Sequence, residues 1–451
     1  MPVHRRDWLR FGVLGAIGAA SSSVQAGMNR SEAGAALKIT GLKVTPIALP
    51  DPPLLNAAGC HGPYFLRTVI ELQTDAGIVG IGEMPGGQGT VAGFEKARPS
   101  IIGKNAFAYR SFARELLAIS PAIYAGIELA CLDAIGRATG RRLSEVVGGP
   151  TGESVEFAAY LFYRYAADHP VVLADSRLAD ARGKGASALD VWGEVRTPES
   201  MADLAAKFRD RWGFRVFKLK AGVLPPDVEL ETLKAMRAKL GPDCLLRIDP
   251  NGRWTTQTAL RIGKAFTGLA LEYYEDPVNG QTAMAAVRRE TGLKMSTNMC
   301  VTRFADLGEA FRLKPIDVLL ADHHYFGGFA GCQALGPVCD AAGWTMSQHS
   351  NNHAGVSMAA MIHLAASIPQ LTLASDTHYP WLPDDADIIV GPKLAIKNGR
   401  MAVPKGRGLG VEIDPDKLAK ANEIYRKSGM TRREDASLMR RLDPSWTQRP
   451  W

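Results

Sequence analysis

The chain has 451 residues, of which 46% are hydrophobic and 22% charged, values typical of a globular protein large enough for two domains. Its formal charge of +7 at pH 7 is spread along the sequence instead of being gathered in one basic arm. This distribution suits a small anionic substrate and does not indicate a nucleic-acid partner. The sequence leaves the oligomeric state open, and a homo-oligomer is one of the alternatives.

The first residues predict an export signal. Arg5 and Arg6 precede a mildly apolar run at residues 11–20, and residues 24–26 are small enough to suit signal cleavage. The run is shorter than the roughly 18 apolar residues that a membrane span requires, so we expect no stable span. Residues 1–26 resemble a twin-arginine leader, which implies an exported, periplasmic protein.

The six cysteines are scattered, and no two of them form a Cys-x-x-Cys pair. Without that spacing neither a zinc site nor a disulfide framework is indicated. We therefore expect most of them to be small buried side chains.

Residues 38–150 predict an N-terminal α+β domain, because strands come first and helices follow without alternation. The strands are predicted at residues 38–50, 65–73 and 78–83, and the helices at 93–101, 106–118 and 121–138. The last helix begins with Pro121 and ends near Gly140, which are the residues that favour those two positions.

From residue 151 onward the pattern changes to short apolar strands separated by helix-length amphipathic segments. The strands are predicted at residues 155–163, 216–220, 245–249, 271–275, 294–298, 318–322, 345–349 and 372–376. Strands alternating with helices in this number predict a (β/α)8-type barrel over residues 151–392. Residues 393–451 are then a C-terminal segment that returns to the first domain.

The strand at 216–220 carries two lysines on one face. Side chains alternate along a strand, so Lys218 and Lys220 point one way and Phe217 and Leu219 the other. Adjacent ammonium groups favour an anion between or above them, and their repulsion is expected to push one lysine towards the neutral form that a general base needs. The alternative is a solvated strand end with two lysines whose charged heads reach water.

Polar side chains end the second to the eighth predicted strands. They are Lys220, Asp249, Glu275, Asn298, Asp322, His349 and Asp376. Each interval spans one strand plus one helix, so each side chain should lie at the C-terminal rim of the barrel, where barrel enzymes place their catalytic groups. Polar strand caps would explain one or two such residues, but they explain the whole series poorly.

Asp249, Glu275 and Asn298 end consecutive strands and supply only oxygen ligands. Such donors suit Mg²⁺, and the absence of a thiolate or histidine argues against zinc. Taken singly, Asp249 would be a turn residue and Glu275 an acid at a helix N-terminus. Their succession is what favours a metal site.

Asp322 and His349 end two neighbouring strands. A carboxylate that binds one imidazole nitrogen fixes the tautomer and raises the basicity of the other nitrogen, so the pair can take or return a proton. With Lys220 on the other side and a divalent cation between them, the set suits removal of a proton α to a carboxylate.

These residues resemble the enolase superfamily, which uses a lysine or histidine base together with Mg²⁺. The motifs that carry the resemblance are Lys218-Leu219-Lys220, Asp249-Pro250-Asn251-Gly252, Glu275-Asp276-Pro277 and the Asp322/His349 pair. Five further runs resemble the glucarate dehydratase subgroup: Ser296 to Met299, Leu320 to Asp322, His349 to His353, Ser375 to His378 and Gly408 to Asp414. The resemblance covers about residues 40 to 450.

The resemblance implies that the N-terminal domain caps the barrel, that Asp249, Glu275 and Asn298 bind Mg²⁺, and that Lys220 and His349 transfer protons. It also implies that Lys218 neutralises the carboxylate being activated. The substrate-binding residues implied in this way are His61, Tyr160, Lys218, Asn251, Asn298, Ser350, Asn351, His378 and Arg433.

The implied activity is Mg²⁺-dependent dehydration of an acid sugar, a glucarate-like aldarate. The proton α to a carboxylate is abstracted and the β-hydroxyl leaves, which gives a keto-deoxy acid. Two alternatives stay open: a racemase or epimerase of a hydroxy acid on the same scaffold, and a non-catalytic periplasmic binder of sugar acids. The substrate, its stereochemistry and the order in which Lys220 and His349 act also stay open.

Overall fold

The computed structural model describes residues 36–175, 177, 192–448 and 450–451. The predicted leader, residues 1–26, lies outside the described residues. Within the described ranges, no helix combines the length and the apolar character needed to cross a bilayer. All six cysteines belong to this described part and are free thiols.

The N-terminal residues form a small antiparallel sheet followed by helices. The strands are β1 (Ile39–Pro50), β2 (Leu55–Asn56), β3 (Gly59–Cys60), β4 (Tyr64–Thr74) and β5 (Val79–Pro85). Strands β1, β4 and β5 make a sheet in that order, and β2 pairs with β3 in a short hairpin. The helices are α1 (Gln88–Ile101), α2 (Ala113–Leu117), α3 (Pro121–Thr139) and α4 (Leu143–Val146).

Two of the predicted helices differ from the structure. Helix α1 begins at Gln88, five residues before the predicted start, because Gly89 and Gly93 obscure the helical pattern of the sequence. The predicted helix at 106–118 is a 3₁₀ helix at Ala106–Phe112 followed by the short α2. Non-helical backbone angles at Ala108 interrupt it.

Eight parallel strands form the central barrel, as the sequence pattern predicts. They are β6 (Ser154–Phe162), β7 (Val216–Lys220), β8 (Leu245–Asp249), β9 (Leu271–Glu275), β10 (Met295–Thr297), β11 (Val318–Ala321), β12 (Thr345–Gln348) and β13 (Ser375–Thr377). Each strand from β6 to β12 pairs with the next one, and β13 pairs with β6. A parallel bridge between Met346 and Leu371 lies between β12 and β13. The (β/α)8-type fold is therefore confirmed.

The helices of the barrel lie between these strands in sequence. They are α5 (Pro170–Leu173), α6 (Pro198–Trp212), α7 (Pro226–Leu240), α8 (Thr256–Ala265), α9 (Gln281–Thr291), α10 (Leu307–Leu313), α11 (Gly328–Ala342) and α12 (Gly355–Ala366). Strands β7, β8 and β9 have the predicted bounds. Strands β10, β11 and β12 end one residue earlier than predicted, so Asn298, Asp322 and His349 are the first residues beyond their strands.

The C-terminal segment contacts both the barrel and the N-terminal sheet. Its elements are β14 (Ile396–Lys397), β15 (Arg400–Ala402), α13 (Pro415–Ser428) and α14 (Asp435–Leu442). Strand β15 pairs with the start of β6. Asn422 of α13 donates a hydrogen bond to the Pro46 carbonyl at 2.7 Å, and Asn56 donates one to Asp435 at 2.7 Å. These contacts bring Arg433 towards the C-terminal rim of the barrel.

A buried glutamate connects helix α3 with the barrel. Glu128 accepts hydrogen bonds from the backbone N–H groups of Phe329 (2.6 Å) and Ala330 (3.2 Å), in the first turn of α11, where a helix has N–H groups without intrahelical partners. Burial raises the pKa of Glu128 to about 7, although both backbone donors act in the opposite direction.

The free energy of unfolding should therefore depend on the protonation of Glu128. Its folded-state pKa of about 7 lies above the ordinary value of 4.5, so its contribution is fully present below pH 4.5 and is lost as the pH rises through 7. Glu128→Gln removes this titration. We expect the stability of wild type relative to the variant to fall by up to about 3 kcal/mol between acidic and mildly alkaline pH.

Urea unfolding at a series of pH values measures this difference. The half-exposed Glu95 of α1 supplies the matched control, and Glu95→Gln should change stability little at any pH. A difference between wild type and Glu128→Gln that does not vary with pH would contradict the assignment.

Candidate active site

A cleft of about 720 Å³ opens at the C-terminal ends of the barrel strands. Most of the predicted site residues line it: His61, Tyr160, Lys220, Asn251, Asn298, His349, Ser350, Asn351, His378 and Arg433. Residues that were not predicted complete its wall: Asn56, Ala58, Phe162, Met299, Tyr325 and Asn352. The remaining predicted residues, Lys218, Asp249, Glu275 and Asp322, are buried beneath this surface.

Lys220 lies at the bottom of the cleft and is held by two partners. Its Nζ donates to Asp249 Oδ2 at 2.7 Å and to the Tyr160 hydroxyl at 3.0 Å. Tyr160 in turn donates to the same Asp249 oxygen at 3.0 Å. This triangle orients the Lys220 amine at the cleft surface.

Lys218 is buried among carboxylates. Its Nζ lies 2.5 Å from Glu275 Oε2, 2.6 Å from Asp376 Oδ2 and 3.8 Å from Asp249 Oδ2. Burial acts to lower the pKa of Lys218, but attraction to Asp376, Glu275 and Asp249 outweighs it and raises the pKa.

The anion expected between the two ammonium groups is present, because Asp249 Oδ2 lies 3.8 Å from Lys218 and 2.7 Å from Lys220. The alternative of a solvated strand end is wrong, because the Lys218 side chain is 0% exposed. Lys218 does not line the cleft in this structure, so its contact with a substrate carboxylate stays a prediction.

Two of the predicted metal ligands, Asp249 and Glu275, lie below the cleft, and the third, Asn298, lines it. Asp249 and Glu275 are fully buried, and Lys218 contacts both. The Asn298 amide satisfies its neighbours when its nitrogen faces Glu275 Oε1 at 3.3 Å and its oxygen accepts from His349 Nε2 at 2.9 Å. Burial raises the pKa of Glu275 well above its usual range, and the carboxylates around it add to the effect although Lys218 opposes it.

The predicted pair of Asp322 and His349 forms a hydrogen bond. His349 Nδ1 lies 2.8 Å from Asp322 Oδ2, and the second carboxylate oxygen lies 2.6 Å from His324 Nδ1. Burial acts to raise the pKa of Asp322, but His324 and His349 hold it well below its usual range. Both ring nitrogens of His349 thus face oxygen atoms, one on Asp322 and the other on Asn298. The Tyr325 ring stacks on His349 with centroids 5.7 Å apart.

The N-terminal sheet supports this pair from behind. Arg67 of β4 places Nη2 3.5 Å from His324 Nε2, and its Nε lies 2.6 Å from Glu83 of β5. Glu83 also accepts from the backbone N–H groups of Ala354 (2.9 Å) and Ser357 (2.8 Å) at the start of α12. Sequence analysis missed these residues because none of them ends a barrel strand, although paired histidines directly after Asp322 were a visible signal.

A chain of polar contacts runs along the rim of the cleft. His61 Nδ1 lies 3.4 Å from Asp51 Oδ1, and Asn352 donates to the same oxygen at 3.2 Å. Asn352 accepts from Arg433 Nη1 at 3.1 Å, and Arg433 Nε lies 2.8 Å from Asp435. This chain joins the N-terminal domain, the loop after β12 and the C-terminal segment.

The other predicted contacts occupy the loops after β8, β12 and β13. Ser350 Oγ accepts from the His378 backbone N–H at 3.2 Å, and Asn351 donates to the Tyr325 hydroxyl at 2.8 Å. Asn251 points to Met299, with Nδ2 3.4 Å from the sulfur. The structure therefore brings amide, hydroxyl and imidazole groups to one cleft above a charged interior.

Comparisons with known proteins agree with this architecture. Residues 200–417 match the family described as enolase C-terminal domain-like. A probable glucarate dehydratase of Streptomyces coelicolor is 38% identical over 440 residues, which cover 91% of this chain and 97% of that relative.

Two solved structures extend the comparison. An enolase of Pseudomonas fluorescens with bound magnesium, potassium and tartrate has a TM-score of 0.85 at 36% identity, covering 92% of this chain and 98% of that one. An enolase of Mycobacterium smegmatis complexed with tartrate has a TM-score of 0.85 at 38% identity, with coverage of 93% and 99%. The chain therefore belongs to the enolase superfamily and is a homologue of a probable glucarate dehydratase.

Proposed function

We propose that this protein is a Mg²⁺-dependent dehydratase of an acid sugar, a glucarate-like aldarate. The observation that carries the proposal is the placement of Lys220 and His349 in one cleft, on the non-adjacent strands β7 and β12, with Asn298 beside His349 and Asp249 beside Lys220. The name of the Streptomyces relative supports a dehydratase. The tartrate in two neighbours supports a hydroxylated diacid as the ligand.

The residues present fit a divalent cation. Asp249, Glu275 and Asn298 offer oxygen donors, and the surrounding acids leave a concentration of buried negative charge that a dication would offset. Burial raises the pKa of Asp276, a neighbouring acid, to about 7, and the charge on Asp249 adds to the shift. When bound, Mg²⁺ would neutralise the substrate carboxylate and make the neighbouring α-proton more acidic.

The side chains of this protein would then move two protons. Either Lys220 Nζ or His349 Nε2 takes the α-proton as the C–H bond breaks. The β C–O bond breaks next, and His349 gives a proton to the departing hydroxyl, which leaves as water. The enol product then takes up a proton on carbon and releases its hydroxyl proton to water, which gives the keto-deoxy acid. Tyr160 and Asp322 orient the two groups throughout.

A substrate panel tests the reaction class. We expect purified protein with Mg²⁺ to convert at least one member of a set of aldarates and aldonates into a 2-keto-3-deoxy acid, detected with semicarbazide. Absence of keto product from every member would contradict the proposal. Solvent deuterium in recovered substrate or its epimer, without keto product, would instead indicate a racemase or epimerase.

Lys220→Met and His349→Asn should each lower turnover by about 100- to 10,000-fold, the usual contribution of a positioned acid or base. In D₂O, the variant that retains the first base should still exchange the α-hydrogen of the substrate, which identifies that base. Lys43→Met changes a solvent-exposed lysine of β1 and serves as the control. Equal loss in all three variants would show that the effect is not specific to the cleft.

Metal binding can be measured without turnover. We expect Mn²⁺, used as a paramagnetic substitute for Mg²⁺, to bind wild-type protein and to bind Asp249→Asn and Glu275→Gln at least about tenfold more weakly, because each variant removes one charged oxygen donor. Electron paramagnetic resonance of free Mn²⁺ gives both affinities. Asp384→Asn changes an exposed acid that does not line the cleft and is the control. An unchanged affinity in both ligand variants would refute the predicted site.

A further inference from the structure

A second cavity of about 890 Å³ lies beside the cleft. Asn56, in the β2–β3 hairpin, lines both spaces. The loop after β8 also reaches both, because Asn251 lines the cleft and Arg253 lines the second cavity. No step of the proposed reaction uses this second cavity.

Its walls combine cationic and aromatic side chains. Arg196 and Arg253 contribute two guanidinium groups, and the partly buried Trp446 and Trp451 contribute two indoles. Arg196 lies over the Tyr165 ring, 4.5 Å from its centroid, which restricts the arginine. Asp443 is the one acidic residue among the lining residues, so the cationic side chains outnumber it.

Hydrogen bonds hold this wall in place. Trp451 N–H donates to the Arg253 carbonyl and Thr255 N–H donates to the Trp451 carbonyl, both at 2.8 Å. Next to Arg253, the buried Glu229 accepts the backbone N–H groups of residues 222–224 at 2.8 to 2.9 Å. A cavity whose walls are fixed in advance loses less entropy when a ligand binds.

We propose that the second cavity binds a uronate ring attached to the acid sugar in the cleft, so that the substrate class includes uronate oligomers with an acid end. This inference rests on the proposed function for the group that occupies the cleft. The C–H face of a pyranose ring packs well on an indole, and a uronate carboxylate matches the planar guanidinium of Arg196 or Arg253. Asn56, which lines both spaces, donates to Asp435 at 2.7 Å and accepts from the Ala58 N–H at 2.6 Å, so one N–H and one lone pair of its amide remain for the linking oxygen or a hydroxyl.

Calorimetry on the Lys220→Met protein tests the assignment, because this variant binds without turnover. The probes are digalacturonate oxidised at its reducing end and the corresponding glucuronate dimer, each compared with its own monomeric aldarate. We expect at least one extended acid to bind about tenfold or more tightly than its aldarate. A charge-assisted hydrogen bond and an aromatic contact are together sufficient for that gain.

Adding Arg196→Ala or Trp446→Ala should weaken binding of that extended acid about tenfold and leave the short aldarate unchanged. Arg196 is exposed, so its replacement is compatible with folding even if loss of Trp446 is not. Arg289→Ala removes an exposed arginine of α9 and is the charge-matched control.

The inference would be overturned if neither extended acid bound more tightly than its aldarate. It would also be overturned if the tighter binding survived both substitutions. These outcomes are separable from failure of the proposed function. A gain that depends on Arg196, in a protein that dehydrates no aldarate, would leave the assignment of the second cavity standing and refute the dehydratase. Dehydration of an aldarate, without tighter binding of either extended acid, would support the dehydratase and refute the assignment of the second cavity.

Discussion

The charge balance around Lys218 is the constraint on which the site depends. Its ammonium contacts Glu275 and Asp376 inside the barrel, and Arg247 lies on the other side of Asp376 at 3.4 Å. Burying one of these charges alone would cost several kcal/mol, so each stays where its partners are. Because strand β7 is held in this way at Lys218, the next side chain on the same face, Lys220, reaches the bottom of the cleft. The position of the proposed base thus depends on ion pairs that lie beneath the cleft.

The N-terminal domain does more than cover the barrel. Asp322 divides its two oxygens between His349 and His324, and His324 faces Arg67 of the N-terminal sheet. Arg67 is paired with Glu83, which also accepts the first N–H groups of α12. A shift of this sheet relative to the barrel would therefore move His324 and then the carboxylate that orients His349. The orientation of the proposed acid therefore depends on how the N-terminal sheet packs against the barrel.

Barrel topology explains how much of the site the sequence could predict. Each parallel strand delivers its last residue to the same rim, so residues as far apart as Lys220 and His349 could be assigned to one cleft from strand positions alone. Strand positions could not identify Asp51, Asn352 or Arg67 as residues of the site, because their partners lie outside the strand ends or on the other domain. Strand positions also could not predict the surroundings of Lys218, because alternation along a strand gives the direction of a side chain but not the number of carboxylates that will surround it. Those carboxylates come from three other strands, and their combined field decides the protonation of the lysine.

The proposed proton-transfer site and the proposed selectivity surface are located in different parts of this chain. The proton-transfer groups and candidate metal ligands lie at or next to strand ends, where closure of the barrel restricts them. The residues that surround a ligand further out belong to the β2–β3 hairpin and to the C-terminal segment, which pack on each other through Asn56 and Asp435. These segments are free of the spacing that the barrel imposes, so they can change in length and composition while the charged interior stays intact. A wider ligand-binding surface on this side, with the same acid and base below it, is the arrangement expected when substrates share one reacting carboxylate but differ in what is attached to it.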